Sequence, residues 1–159
     1  MNSTCFFHSP IGWLKITGSD NGISEIIFVG KKPIRQNLFI KKNIQNARNQ
    51  IEKYFQNDLK NFTIKLDQTG TNFQHLVWNE LTKIRYGTTK SYQQLAIQIK
   101  DKKSTRAVAS AISKNKLAIV IPCHRIIGSN NKLKGYAWNL KRKKWLLEFE
   151  NNTRQFKLL

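Results

Sequence analysis

The sequence predicts a mixed α/β chain: a small β-sheet with one helix forms an N-terminal lobe (1–67), packed on a mainly helical C-terminal lobe (68–159) that carries a helix-turn-helix. Three observations lead there. Short apolar runs cut by turn residues fill the first thirty positions. Apolar residues then recur at helical spacing. Beyond residue 70, two capping signals and a stretch of small residues mark a succession of short helices.

The elements follow in order. Phe6-Phe7 leads into a turn at Ser9-Pro10-Ile11-Gly12, a strand from Trp13 to Thr17, a turn closing at Gly22, and a third strand from Ile23 to Val29 ended by Gly30. Ile40, Ile44, Ala47, Ile51, Tyr54 and Phe55 keep helical spacing, which predicts a helix over 39–56. After a polar stretch, Thr71-x-x-Gln74 reads as a capping box opening a helix with Phe73, Leu76, Val77, Leu81 and Ile84 inward, stopped near Gly87. Ser91-x-x-Gln94 opens another over 91–99, and a third runs over 104–114 from Ser104. These two short helices, the second lined with small side chains and headed by Arg106, suggest a helix-turn-helix. The apolar run Leu117–Ile121 predicts a buried strand with Cys123-His124-Arg125 at its tip. A last helix is expected over 139–149, after a turn at Gly128–Lys134.

Charge points to a partner. The chain carries 28 Lys and Arg against 9 Asp and Glu, a formal net charge of +19. Residues 70–159 hold 18 of the basic and 4 of the acidic residues. A field of that sign and asymmetry attracts polyanions, with nucleic acid ahead of an anionic membrane because no basic amphipathic helix with a large apolar face stands out. No apolar run nears the ~18–20 residues of a membrane span. The opening Met1 to Cys5 carries no secretory signal pattern. Two cysteines, Cys5 and Cys123, make no disulfide framework and fit a reducing, cytoplasmic setting.

Cys123 is the candidate nucleophile. A lone cysteine is more often a small buried hydrophobe, but this one stands beside His124 and Arg125, either of which can favour the thiolate. On an extended strand neighbours point to opposite sides, so a Cys123–His124 interaction calls for a bridging water.

Five segments occur together in a fixed order: FQHLVWNEL, SYQQLA, RAVASAISKN, LAIVIPCHRIIGS and GY…RKKWLLEFE. On these the chain closely resembles the O6-alkylguanine-DNA alkyltransferases, also called methylated-DNA–protein-cysteine methyltransferases. The resemblance spans about 68–150, and the SPIG turn and meander are similar to the family's N-terminal lobe. It implies direct reversal of O6-alkylguanine damage in double-stranded DNA, with O4-alkylthymine a lesser substrate. The alkyl group moves irreversibly to Cys123, with no cofactor, no metal and no obligate protein partner.

The same resemblance implies the roles. His124 takes the thiol proton through a water, Glu150 orients that histidine, and Asn115 ties the recognition helix to the active-site segment. Tyr92 donates to guanine N3 and crowds the phosphate of the flipped nucleotide, and Tyr136 walls the base pocket together with Ile126, Ala137 and Trp138. Arg106 fills the gap in the base stack, and Gln93, Ser129, Ala107 and Ser110 lie along the DNA. Arg85 and Lys116 stand where the family carries proline, and Trp138-Asn139 replaces a Gly-Gly pair. An indole there is expected to narrow the alkyl pocket. The soft ligands Cys5, His8, His75, Cys123 and His124 make no complete zinc set. Two rival readings are a helix-turn-helix protein that senses alkylated DNA without repairing it and a hydrolytic thiol enzyme. The first lacks an acceptor cysteine among its known examples, and the second needs an oxyanion hole.

Overall fold

The computed structural model describes residues 1–35, 37–99, 105–152 and the backbone of 157–158. It is a mixed α/β structure whose chain divides into two compact units, Met1–Thr69 with Lys116–Ala118, and Gly70–Asn115 with Ile119–Leu159.

In the first unit, β1 (Ser3–Ser9), β2 (Gly12–Ser19) and β3 (Gly22–Val29) form an antiparallel meander. Ser9 pairs with Gly12 and Ser19 with Gly22, so both connections are two-residue turns. Alternation then sends Cys5, Phe7, Leu14, Ile16, Ile26 and Phe28 to a buried face. Helix α1 (Lys42–Phe55) buries Ile44, Ala47, Ile51 and Tyr54 and packs on the sheet. It starts later than the spacing predicts: Lys41 at its N-cap offers no side-chain cap, and Phe39 is exposed. Gly22, at φ +151°, lets the chain of Lys65–Leu66 run against β3, because a Cβ there would sit 2.8 Å from the Lys65 carbonyl oxygen.

In the second unit, α2 (Asn72–Thr82) has the expected capping box. The Thr71 side chain accepts from the Gln74 N–H at 3.1 Å, and the Gln74 side chain accepts from the Thr71 N–H at 2.9 Å. Its buried stripe is Val77, Trp78 and Leu81. Leu76, expected inward, is 38% exposed, since it falls about 150° round the helix from the centre of that stripe. Helices α3 (Tyr92–Ile99) and α4 (Thr105–Ser113) pack on each other and on α2. The expected start at Ser104 lies outside the described residues. Trp78 fixes the group by donating its indole N–H to the Ala111 carbonyl at 2.9 Å. Gly70 leaves room for that ring, where a Cβ would come within 2.6 Å of two indole carbons.

Leu117–Ile121 is buried at four of its five residues but is not a strand. Only Leu117 makes a bridge, parallel to Ile26, and Ile119 then takes φ +72° in a turn. A continuous apolar run reports burial, which a turn enclosed on all sides satisfies as well as a sheet. Beyond it β4 (Lys90–Ser91) pairs in parallel with β5 (Ile126–Ile127), and β6 (Lys132–Leu133) with β7 (Lys157–Leu158). Helix α5 (Leu140–Asn151) closes the unit. Its N-cap is Asn139, at φ +82°, whose side chain accepts from the Arg142 N–H. Among the described residues no helix is long and apolar enough to cross a membrane.

Trp78→Phe keeps the ring and removes the N–H. Ala111 retains a longer bond from the Lys114 N–H at 3.2 Å, so the expected loss is about 1–2 kcal/mol, read as a lower urea midpoint with an unchanged slope.

Candidate active site

Cys123, His124 and Arg125 form one turn of 3₁₀ helix. The Cys123 N–H donates to the Ile121 carbonyl at 2.8 Å and the Arg125 N–H to the Pro122 carbonyl at 3.0 Å. The expected strand tip is therefore replaced by a tight turn, in which Cys123 and His124 are not forced to opposite faces of a ribbon. All three side chains are buried.

Glu150, in the last turn of α5, holds this turn in place. His124 Nε2 lies 2.8 Å from Glu150 Oε1. Arg125 donates from Nε to Oε2 and from Nη2 to Oε1, both at 2.9 Å, and from Nη1 to the Ile84 carbonyl at 2.7 Å. Burial alone would raise the Glu150 pKa, but His124 and then Arg125 outweigh it and hold the carboxyl well below the ordinary carboxylate range. Burial lowers the pKa of His124 in spite of Glu150 beside it. The resting state is then an Arg125–Glu150 ion pair with a neutral imidazole. Because Glu150 is the acceptor, the ring proton sits on Nε2, and Nδ1 is left as a base. That Nδ1 is buried and has no hydrogen-bond partner among the described residues.

Cys123 is a thiol at rest. Burial pushes its pKa up, and the hydrogen bond from Asn115 only partly opposes this. The Arg125 charge, which sequence reasoning offered as an activator of the thiol, is taken up by Glu150 instead. Asn115 follows α4 and donates from Nδ2 to the Ile121 carbonyl at 3.2 Å and to Cys123 Sγ at 3.4 Å. It thereby ties the end of the second short helix to the cysteine turn.

A cavity of about 660 Å³ opens onto Cys123. It brings together Tyr92, Gln93, Arg106, Ser129, Tyr136 and Ala137 from the expected set, and adds Ser91, Ala109, Ile127, Gly128, Lys134 and Gly135. Ile126 is buried in β5 beside Ile127 and does not line it. Ala107 and Ser110, on α4, are not part of the lining, and neither is Trp138, just before α5, which packs edge-on against the Tyr136 ring at 5.3 Å. Any narrowing by the indole therefore acts through Tyr136. The Tyr92 hydroxyl donates to the Lys134 carbonyl at 2.7 Å, and burial, with Cys123 nearby, pushes its pKa up to about 12. The Tyr136 hydroxyl is buried and has no hydrogen-bond partner among the described residues.

Comparison with known proteins agrees with this architecture across the chain. Residues 4–68 match the ribonuclease-like domain of 6-O-methylguanine DNA methyltransferase, and residues 72–152 match its DNA-binding domain. The methylated-DNA–protein-cysteine methyltransferase of Methanosarcina acetivorans is 41% identical over 150 residues, covering 92% of this chain and 96% of that one. This chain belongs to the 6-O-methylguanine DNA methyltransferase family. The enzyme of the same name from Mycobacterium leprae is 39% identical over 147 residues, 91% of this chain and 89% of its own. The crystal structure of the Mycobacterium tuberculosis OGT in complex with DNA superposes with a TM-score of 0.82 at 36% identity, covering 94% and 93% of the two chains. DNA is thus the partner class of this family member.

Two residues of the site escaped the sequence reading. Arg125 was visible only as a positive charge, and its role as the ion partner of Glu150 depends on a contact across 25 positions. Lys143 is 1% exposed and donates from Nζ to the carbonyls of Lys134 and Gly135, each at 3.0 Å. Burial lowers its pKa to about 8. The only signal was its place in the stripe of α5 at 143, 146, 147 and 150.

The pKa directions fix how stability follows pH. Glu150 titrates lower when folded than its ordinary 4.5, so its contribution is complete above that value and is lost as pH falls below it. His124 also titrates below its ordinary 6.5, so protons favour the unfolded chain as pH drops through that value. Unfolding free energy from urea melts is expected to decline from pH 7 to pH 4. Glu150→Gln should lose about 3–5 kcal/mol at pH 7, since Arg125 is left without its counter-ion, and should flatten the decline below pH 4.5. A wild-type curve level from pH 6.5 to 4.5 would contradict the buried neutral imidazole, and one level below pH 4.5 would contradict the buried ion pair.

Proposed function

We propose that this protein repairs O6-alkylguanine in double-stranded DNA by transferring the alkyl group to Cys123, once per molecule, with O4-alkylthymine a lesser substrate. The observation that carries the reading is a buried thiol at a cavity in the DNA-binding domain, beside a neutral histidine whose free Nδ1 is set by an ionised Glu150.

Guanine O6 lies inside the base stack, so the nucleotide is extruded to reach a thiol fixed below the surface, at a cost of a few kcal/mol. Arg106, exposed near the start of α4 and lining the cavity, occupies the vacated position. His124 Nδ1 takes the thiol proton through a water, and the imidazolium that forms is stabilised by Glu150. The sulfur attacks the alkyl carbon; an S–C bond forms and the C–O6 bond breaks, its electron pair passing to the purine. Tyr92 gives a proton to the purine N3, and the base leaves as guanine. One proton leaves the thiol and one is gained by guanine, so the balance closes without a cofactor. Asn115 holds the sulfur in line. Tyr136 and Ala137 wall the base, while Gln93 and Ser129 follow the backbone. The thioether product is a stable bond with no labile leaving group, so turnover ends there. A reducing compartment, the cytoplasm, suits an acceptor that must stay a free thiol.

Intact mass after incubation with methylated duplex should rise by one methylene unit on wild type and not at all on Cys123→Ala, whose DNA affinity should stay within about twofold. Transfer onto that variant, for example at Cys5, would remove Cys123 from the role. Arg106→Ala should slow repair of duplex by at least tenfold more than repair of single strands, measured by single-turnover label transfer. Equal slowing of both substrates would reduce Arg106 to a phosphate contact.

A further inference from the structure

One acceptor in the cavity wall is shared by two donors. The Lys134 carbonyl receives the Tyr92 hydroxyl at 2.7 Å and the Lys143 ammonium at 3.0 Å. The ammonium also holds the neighbouring Gly135 carbonyl at 3.0 Å and lies 5.8 Å from the centre of the Tyr92 ring. Lys143 is 1% exposed, and among the described residues it has no carboxylate partner. An uncompensated ammonium out of solvent is costly, and the stripe it occupies on α5 is otherwise Leu146, Leu147 and Glu150. An apolar residue would pack there without that cost.

We propose that Lys143 is a positioning residue that releases the Tyr92 hydroxyl to the substrate by keeping the Lys134 carbonyl satisfied. The inference rests on the reading of Tyr92 as proton donor. With no purine bound, Tyr92 spends its only proton on Lys134. To serve the purine, the hydroxyl must turn away, and a buried carbonyl left without a donor opposes that turn. Lys143 removes the opposition because the carbonyl oxygen retains the ammonium. The same ammonium, beside the ring, favours the negative charge that Tyr92 acquires once its proton has gone. Lys134 and Gly135 both line the cavity, so the clamp also fixes the wall against which the base rests.

The test is a double-mutant cycle on single-turnover transfer from methylated duplex, using wild type, Tyr92→Phe, Lys143→Met and the double variant. DNA affinity and thermal unfolding are measured alongside. Lys143→Met is expected to slow transfer roughly 5- to 100-fold, the range set by leaving one buried carbonyl unpaired, with affinity for DNA unchanged. In the Tyr92→Phe background, where there is no hydroxyl to release, the same substitution is expected to change the rate less than threefold. Lys143→Gln, which keeps an NH2 donor, should recover part of the rate only when Tyr92 is present, and it carries the cycle if the methionine variant does not fold. Equal slowing by Lys143→Met in both backgrounds, with Tyr92→Phe itself slow, would overturn the role of Lys143 and leave the donor assignment standing. A Tyr92→Phe variant that transfers at the wild-type rate would overturn the donor assignment, and this inference with it.

Discussion

The Glu150 carboxylate is shut off from solvent with three N–H donors on its two oxygens, one from His124 and two from Arg125, and the placement of Cys123 follows from that arrangement. A buried charge is stable only when paired and hydrogen-bonded. Pairing with an arginine, which never gives up its proton, leaves the adjacent imidazole free to remain neutral. The Arg125 guanidinium reaches on to the Ile84 carbonyl, just past α2. The ion pair therefore joins the cysteine turn, the end of α5 and the end of α2, and the base that serves the thiol is oriented by groups that also hold the unit together.

Desolvation sets the other half of the chemistry. It pushes the pKa of Cys123 up and those of His124 and Lys143 down, leaving Lys143 an ammonium that titrates near about 8, three shifts that would each shrink on opening the site to water. The nucleophile is not stored in its reactive form. Reactivity has to be generated when a substrate fills the cavity, by moving one proton over a short path.

Much of the fold was legible. The meander turns, the capping box at Thr71 and Gln74, and the three short helices follow from residue types whose effects are local. The five ordered segments located the cysteine, its histidine and the distant Glu150, because family resemblance carries long-range information that periodicity lacks. What could not be read depended on contacts far apart in sequence or on burial of polar groups. Leu117–Ile121 has the composition of a strand, and only the turn at Ile119 shows that its enclosure comes from elsewhere. Helix α5 looks charged along most of its length, with two leucines on its inner face. Lys143 and Glu150 occupy that same face, and a pattern that scores charge as exposed hides them. Trp138 looked like a pocket residue from its place in the chain, yet it stands outside the lining and packs edge-on against Tyr136.

A protein consumed by a single use has to last until that use arrives. Cys123 is 4% exposed and held as a thiol, whereas peroxide, disulfides and small electrophiles react with accessible thiolates. The raised pKa, which looks like a handicap for a nucleophile, lengthens shelf life: it keeps the sulfur in the protonated form that oxidants and electrophiles attack slowly.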